Sequence, residues 1–357
     1  MHRKIIKVLV VDDSAFMRKL VQEFLSENER IAVIGTARNG KDALAKIRLL
    51  KPDVITMDVE MPIMTGLEAL KLIMKENPLP VIMLSSTTRE GAENALLAMD
   101  YGAVDFIAKP SGTISLDLHL IKQELIGKVL NAAEATLLPQ QFHPVKEKQM
   151  NISKKEPILT DSKYDRFNQT LILIGTSTGG PRALQKVLSD LPGNLKAPVL
   201  VVQHMPPGFT KSLAQRLDQL SELSVKEAEE GDVCLNGHAY VAPGDFHLNI
   251  IQGSRLTLSL SKEPPVSGHR PSVDFMFESA SGLKNVKKIA VIMTGMGADG
   301  SKGLVKLNHN GHTVSIAESK DTCVVFGMPK AAAATGLVTY TEPLHEIANR
   351  IVKLAEG

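Results

Sequence analysis

The sequence predicts two α/β domains in series, each built on a parallel sheet. Short runs of β-branched and aliphatic residues alternate with stretches of helical period from residue 5 to about residue 128, and again from residue 169 onward. A chain of 357 residues also exceeds what one core of ordinary size holds. The segment between the two regions is polar and contains several prolines. We therefore expect domains at 1–128 and 169–357, joined by a linker over 129–168.

The first domain contains five predicted strand-and-helix units. Its predicted strands are Ile5–Val11, Ile31–Ile34, Val54–Met57, Val81–Leu84 and Asp105–Ala108. After the first strand, Phe16, Leu20 and Phe24 recur at i, i+4 and i+8, which indicates an amphipathic helix. Five such units predict a flavodoxin-like, doubly wound domain that binds its ligand at the carboxyl ends of the strands.

The second domain repeats the alternation of strands and helices. Its predicted strands are Thr170–Ile174, Val199–Val202, Ile289–Met293 and Thr313–Ile316. Each is followed by a stretch of helical period, and a β-rich region lies at Ala239–Leu260. This pattern predicts a second doubly wound α/β domain.

The composition argues against several classes of function. The 41 basic residues nearly balance the 39 acidic ones, and only 4% of residues are aromatic, so nucleic-acid binding is not expected. No uncharged apolar stretch of about 18 residues is present, so we expect no membrane insertion. The two cysteines suit a reducing compartment, and the first apolar run is too short for a signal peptide. A cytoplasmic location is therefore expected.

Acidic residues follow the first and third predicted strands of the first domain. Asp12 and Asp13 come after the first strand and Asp58 after the third, so their carboxylates should meet at one edge of the sheet. Three close carboxylates favour a hard cation such as Mg²⁺. Ser85 and Lys109 close the fourth and fifth strands, and this set could stabilise a phosphoryl group on a carboxylate. Alternatively, the aspartate pair only caps the first helix.

These five positions, in this order at their strand ends, resemble the receiver domain of bacterial response regulators over about the first 125 residues. The resemblance implies that Asp58 is the phosphoacceptor, with a histidine kinase as phosphodonor, and that the aspartate pair holds Mg²⁺. It also implies that Ser85 and Lys109 contact the phosphoryl group. Phe106 occupies the place of that family's switch aromatic.

A turn rich in small residues joins the first strand of the second domain to its helix. The segment 175–180 reads Gly-Thr-Ser-Thr-Gly-Gly, which contains Gly-x-Ser-x-Gly and exposes the Ser177 hydroxyl on a tight turn. Backbone amides near Thr178 and Met296 are candidate donors to a developing oxyanion. Alternatively, the turn is a helix cap or a phosphate-binding loop, although no lysine of the P-loop kind follows it.

A histidine and an aspartate follow two other predicted strands of this domain. His204 comes directly after its strand and can reach the same sheet edge as Ser177, where it could act as a base. Asp299 follows the strand Ile289–Met293 and could fix the tautomer of the imidazole. The chain order Ser, His, Asp differs from that of α/β-hydrolases, so a separate hydrolase fold with a Ser-His-Asp triad is expected.

Five motifs of the second domain resemble the catalytic domain of the CheB family, the chemotaxis-specific protein-glutamate methylesterases. They lie at residues 175–180, 203–209, 242–245, 269–274 and 295–300. The resemblance implies a serine-dependent methylesterase and glutamine deamidase that acts on the cytoplasmic domain of a chemoreceptor. It implies no cofactor in the catalytic domain. His269 and Arg270 either shape the substrate groove or support their loop.

One alternative remains for the loop at 295–300, which also has the spacing Gly-x-Gly-x-x-Gly of a dinucleotide site. Glu318 follows Gly300 by 18 positions (318 − 300), close to the place of a ribose-binding carboxylate. However, only 57 residues remain after Gly300 (357 − 300), which is short for the further units of such a fold. A DNA-binding output is disfavoured by the charge balance and by the lack of a basic helix.

Overall fold

The structure is a computed structural model that describes residues 4–109, 117–137, 169–309 and 312–356, with side chains from residue 121 in the second range. The first sheet contains five parallel strands in the order β2-β1-β3-β4-β5. The strands are β1 (Ile6–Val11), β2 (Ile31–Ala37), β3 (Val54–Asp58), β4 (Val81–Ser85) and β5 (Asp105–Ala108). This order confirms the flavodoxin-like prediction.

Five helices cover the two faces of the first sheet. They are α1 (Ala15–Ser26), α2 (Gly40–Leu50), α3 (Gly66–Glu76), α4 (Arg89–Asp100) and α5 (Asp117–Ala132). Polar side chains define where these helices begin, since the Ser14 hydroxyl accepts from the Met17 amide at the start of α1. Thr65 and Glu68 form a reciprocal capping box at the start of α3.

The end of α5 lies beyond the predicted domain boundary. The helix continues to Ala132, four residues past the expected end at 128. The following residues lie against the second domain, where the Thr136 amide donates to the Val324 carbonyl at 3.2 Å. The remainder of the predicted linker, residues 138–168, lies outside the described residues.

The second sheet has seven parallel strands in the order β14-β13-β12-β6-β7-β9-β8. They are β6 (Gln169–Thr176), β7 (Val199–Gln203), β8 (Ser224–Glu227), β9 (His238–Val241), β12 (Val286–Ile292), β13 (Thr313–Glu318) and β14 (Tyr340–Glu342). The helices of this domain are α6 (Gly180–Asp190), α7 (Phe209–Leu220), α8 (Val273–Ser281), α9 (Ser301–His309), α10 (Met328–Ala334) and α11 (Leu344–Glu356). The predicted doubly wound α/β domain is confirmed.

The β-rich region predicted at Ala239–Leu260 divides between two sheets. Its first strand, β9, joins the main sheet. The other two strands, β10 (His247–Gln252) and β11 (Leu256–Ser261), form a separate antiparallel pair.

The order of the second sheet creates a crevice at its centre. Strands β12, β6 and β7 are direct neighbours, and the chain runs from β6 toward one edge before it returns to the other side at β12. The carboxyl ends of neighbouring parallel strands at such a switch point form the usual ligand site of an open α/β sheet. No helix within the described ranges is long and apolar enough to cross a membrane.

The two domains share an apolar interface. The Phe106 ring of β5 stacks on the Phe209 ring of α7 with centroids 4.8 Å apart. Beside this stack, Gln185 of α6 donates to the Asp100 carboxylate at 2.8 Å, and Arg216 of α7 pairs with the same carboxylate. Buried hydrophobic side chains form one continuous cluster across both domains at this contact.

Candidate active site and phosphoacceptor site

Ser177 lies in the turn between β6 and α6. The turn needs glycine at two positions, because Gly179 has a φ of 78° and a Cβ on Gly180 would lie 1.9 Å from the Gln203 side-chain oxygen. The neighbouring loop also approaches closely, since a Cβ on Gly295 would lie 2.8 Å from the Ser177 Cβ. The small residues noted in the sequence therefore let two strand ends meet around Ser177.

His204 and Asp299 form a hydrogen-bonded pair beside this turn. The Nε2 atom of His204 lies 2.7 Å from Oδ2 of Asp299, and both side chains are buried. The His204 amide donates to the Thr176 carbonyl at 3.2 Å, which ties the residue after β7 to the residue before Ser177. The three residues predicted as a triad thus stand at the carboxyl ends of three neighbouring strands.

The amino terminus of α8 holds the Asp299 carboxylate. The amides of Val273 and Asp274 donate to it at 2.7 and 2.9 Å, and the Ser272 hydroxyl donates at 2.8 Å. Burial alone would raise the pKa of Asp299, but the His204 ring and these amides outweigh burial and hold the pKa below its ordinary value. Asp299 is therefore an anion beside the imidazole.

The second nitrogen of the His204 ring is available. Its Nδ1 atom is buried and has no hydrogen-bond partner within the described part of the chain. Because Nε2 faces Asp299, Nδ1 is the nitrogen that can accept a proton from a neighbouring hydroxyl. No hydrogen bond joins the ring to the Ser177 hydroxyl among the described residues, so the structure brings two of the three predicted residues into direct contact.

Both candidate oxyanion residues contact the first domain. The Thr178 hydroxyl donates to the Asp105 carboxylate at 2.5 Å, and the Met296 sulfur lies 2.7 Å from the Asn131 side-chain nitrogen. The Ser177 amide is engaged by the Thr294 carbonyl at 3.0 Å. The amides of Thr178 and Met296, in contrast, donate to no acceptor in the described ranges, so both are available near the nucleophile.

The predicted acidic site forms at the carboxyl edge of the first sheet. Ligand oxygens of Asp12, Asp13 and Asp58 all lie within 4.8 Å of one another. The Lys109 ammonium lies 2.7 Å from Asp58 and 2.9 Å from Asp12. Asp13, Asp58 and Lys109 border an open cavity of about 550 Å³. Burial raises the pKa of Asp58 to about 6, although the charge of Lys109 opposes the rise.

Comparisons with known proteins identify the family of each domain. The family model described as CheB methylesterase matches residues 172–351, and the model described as response regulator receiver domain matches residues 8–120. The chain belongs to the CheB methylesterase family.

Relatives of this family match the chain from end to end. A protein-glutamate methylesterase/protein-glutamine glutaminase of Geobacillus kaustophilus is 55% identical over 356 residues, covering 98% of this chain and 99% of that protein. Its counterpart in Bacillus subtilis is 50% identical and covers 97% of each chain. The crystal structure of the Thermotoga maritima CheB methylesterase catalytic domain is 48% identical, with a TM-score of 0.51 over 52% of this chain and 98% of that one.

His269 contacts the imidazole of His204, whereas Arg270 braces its own loop. The two histidine rings stack with centroids 3.7 Å apart and planes 9° apart. Burial, reinforced by the nearby His204, lowers the pKa of His269 to about 4, so this ring stays neutral. Arg270 donates to the Asp245 carboxylate at 3.1 Å and to the carbonyls of residues 262–263.

Two residues that hold Asp299 and its loop in place were not predicted from the sequence. Besides Ser272, which donates to Asp299, the Asp274 carboxylate accepts from the amides of Gly300 and Gly303 at 2.9 and 2.7 Å. Burial and the nearby charge of Asp299 raise the pKa of Asp274. A Ser followed by an acidic residue at a helix start was the available signal.

Neither Ser85, the predicted phosphoryl contact, nor Phe106, the predicted switch aromatic, borders the receiver cavity. Ser85 is fully buried, and its hydroxyl donates to the Gly91 carbonyl of α4 at 2.7 Å. Ser86, which the sequence analysis did not single out, borders the cavity instead. Phe106 is buried and faces α7 in the stack with Phe209.

The dinucleotide alternative fails on Glu318. This side chain is fully buried, and its carboxylate accepts the Thr294 amide at 2.8 Å, so it cannot hold a ribose. The Gly300 amide is also engaged, because it donates to Asp274. The loop at 295–300 therefore positions the carboxylate of Asp299 and packs beside Ser177.

Proposed function

We propose that this chain removes methyl esters from glutamate side chains of a chemoreceptor and deamidates glutamines there, under the control of Asp58 phosphorylation. The observation that carries this proposal is the buried His204–Asp299 pair beside Ser177, at 2.7 Å, in a chain of the CheB family. The substrate is the cytoplasmic domain of the receptor, and the enzyme works in the cytoplasm.

The proposed reaction begins with proton transfer from Ser177 to Nδ1 of neutral His204. The Ser177 oxygen attacks the side-chain carbonyl of the methylated glutamate, while Asp299 stabilises the imidazolium through Nε2. Collapse of the tetrahedral intermediate returns the proton to the leaving methoxide, and methanol departs. Water then attacks the acyl-enzyme by the same route and releases glutamate. With a glutamine substrate, the first step releases ammonia.

The oxyanion of this reaction needs donors that the fold has not already used. The amides of Thr178 and Met296 meet that requirement, because neither donates to another acceptor in the described ranges. We assign the oxyanion site to these two amides. His269 keeps the base in place by stacking on it, and its neutrality avoids a second positive charge beside the imidazolium.

In the receiver domain, Asp58 is the proposed phosphoacceptor and a chemotaxis histidine kinase the phosphodonor. Asp12, Asp13 and Asp58 fit a Mg²⁺ site, because their oxygens lie within 4.8 Å and Lys109 supplies only one positive charge. Bound Mg²⁺ would offset the charge of the incoming phosphoryl group. Lys109 holds the reacting carboxylate, and Ser85 reaches the phosphoryl group only after its bond to α4 breaks.

The unphosphorylated receiver inhibits the active site by docking on it. The support for this is the set of contacts from Asp105 to Thr178 and from Asn131 to Met296, both at candidate oxyanion residues. Phosphorylation frees Ser85 from its bond to Gly91 and Phe106 from its stack on Phe209, and this weakens the docking. If the receiver is docked in 99% of molecules, phosphorylation would have to shift the docking equilibrium by about 5.5 kcal/mol to reduce that fraction to 1%. We therefore propose a partial release.

A receptor fragment with defined methylation tests the proposed activity. Incubation with the full chain should remove one CH₂ of mass for each ester hydrolysed, and mass spectrometry of its peptides should place every loss on a glutamate. Glutamine positions should change by the mass difference between an amide and an acid. A Ser177→Ala chain should produce neither change, and unaltered peptides with the wild-type chain would overturn the proposal.

A further inference from the structure

Glu318 is a fully buried carboxylate that the proposed mechanism does not use. It ends strand β13, next to β12, and its two oxygens have different partners. One accepts the Thr294 amide at 2.8 Å, and the other accepts the Thr322 hydroxyl at 2.9 Å. A carboxyl group without access to water is costly unless it is hydrogen-bonded, and these two bonds offset that cost.

The first partner, Thr294, grips the nucleophile turn at two points. Its carbonyl accepts the Ser177 amide at 3.0 Å, and its hydroxyl donates to the Thr178 carbonyl at 3.0 Å. The same hydroxyl accepts the Val325 amide at 3.0 Å, which fixes its direction. Thr294 therefore holds the Ser177–Thr178 segment at two points. The Thr178 amide takes part in neither bond and donates to no acceptor within the described part of the chain.

We infer that Glu318 is a positioning residue for Ser177, acting through Thr294. The inference rests on the proposed function and names a further residue for the same reaction. The carboxylate anchors the Thr294 amide, Thr294 anchors both sides of the Ser177–Thr178 peptide, and the chain of bonds sets where the Ser177 oxygen stands relative to His204. A small displacement of a nucleophile lowers the rate of the chemical step more than the affinity for substrate.

The hydrogen bond from the Thr294 amide does not require Glu318 to be ionised. Burial raises the pKa of Glu318, and an unprotonated oxygen facing Thr294 is present in either protonation state. Glutamine can supply the same acceptor, while its amide group can donate to the Thr322 oxygen. Leucine has a similar volume and supplies no acceptor. These two substitutions therefore separate the hydrogen bond from the space that the side chain fills.

The test uses the full chain, activated with a small phosphodonor and Mg²⁺, and measures kcat and KM for methanol release from a methylated receptor fragment. Rates are expressed per folded molecule, from thermal melts in the same buffer. We expect Glu318→Leu to lower kcat by about tenfold or more with KM within about twofold, and Glu318→Gln to stay within about threefold of wild type. The matched control is Thr322→Val, which removes the other bond of the carboxyl group and should leave kcat unchanged.

The outcome that overturns the inference is a Glu318→Leu chain with wild-type kcat, or a Thr322→Val chain with the same loss of kcat. If the leucine variant does not fold, the pair Thr294→Ser and Thr294→Val decides. Serine keeps the hydroxyl on the Thr178 carbonyl and should retain kcat, whereas valine should lose about tenfold. Equal rates for the pair would overturn the role. An inactive wild-type chain would instead overturn the proposed function, and the positioning role with it.

Discussion

The Asp105 carboxylate of the receiver domain accepts a hydrogen bond of 2.5 Å from the hydroxyl of Thr178, the residue that follows the candidate nucleophile. The same carboxylate accepts the Phe106 amide at 2.8 Å and pairs with the half-buried Lys128 ammonium at 3.1 Å. Phe106 is the residue expected to move on phosphorylation. The residue that contacts the candidate nucleophile turn, Asp105, and the proposed switch aromatic, Phe106, are therefore neighbours on one strand.

This contact predicts that Asp105→Ala raises the basal activity of the unphosphorylated chain. A hydrogen bond to a charged group contributes about 1.5–3 kcal/mol, so its loss should increase the undocked population and the rate by about tenfold or more. Methanol release without phosphodonor measures the effect. Asp53→Ala, which removes a carboxylate bonded to Lys4 at 2.8 Å, is the matched control and should change nothing.

Removal of the receiver domain should raise the basal activity more than Asp105→Ala does. The Thermotoga maritima catalytic domain, which covers 52% of this chain, has been crystallised alone, so the isolated second domain is a reasonable protein to assay. We expect a chain without residues 1–150 to exceed the basal rate of the full chain and to ignore the phosphodonor. Equal basal rates would contradict inhibition by docking while leaving the esterase chemistry untouched.

The raised pKa of Asp58 predicts a stability effect at neutral pH. Folding raises this pKa from 3.8 to about 6. The free energy of unfolding therefore decreases as pH rises from about 4 to 6, and the full decrease is present above pH 6. Two pKa units correspond to about 3 kcal/mol. Asp58→Asn should therefore raise the melting temperature at pH 7.5 and lose that advantage below pH 4.

Magnesium provides the control for the Asp58 prediction. Millimolar Mg²⁺ should stabilise the wild-type chain more than Asp58→Asn, because the ion compensates a charge that the variant lacks. Equal melting temperatures of the two chains at pH 7.5 without Mg²⁺ would contradict the account of this site.

His269 should make the protein less stable in mild acid. Its pKa falls from 6.5 to about 4 on folding, so the unfolded chain binds the proton first and stability decreases as pH falls from about 6.5 toward 4. Between pH 7 and 5 the loss amounts to about 2 kcal/mol. His269→Phe keeps a flat ring against His204 and does not titrate. Denaturant unfolding at both pH values should show a smaller loss for this variant, and parallel losses would contradict the prediction.

The positions of the main candidate residues could be predicted because α/β units place strand ends at one edge. Asp12, Asp58, Ser177, His204 and Asp299 all follow predicted strands, and the structure places each at the expected edge. The direction of a side chain within that edge depends on tertiary packing, which sequence spacing does not contain.

Three cases illustrate that limit. Ser85 stands at the predicted strand end, but its hydroxyl bonds to Gly91 of α4. Asp274 was missed because only the packing of α8 brings it to the Asp299 loop. Glu318 had the spacing of a ribose ligand, yet its burial beside Thr294 assigns it to the interior. In each case the partner lies on another element, so no local pattern could reveal the contact.

Methanol release from a methylated receptor fragment, with and without a small phosphodonor and Mg²⁺, tests most directly the claim that a serine esterase is controlled by Asp58. The account predicts release that the phosphodonor stimulates in the wild-type chain, basal release without stimulation in Asp58→Asn, and none in Ser177→Ala. Undiminished release by Ser177→Ala would contradict the account, because the chemistry would then lie outside the turn after β6.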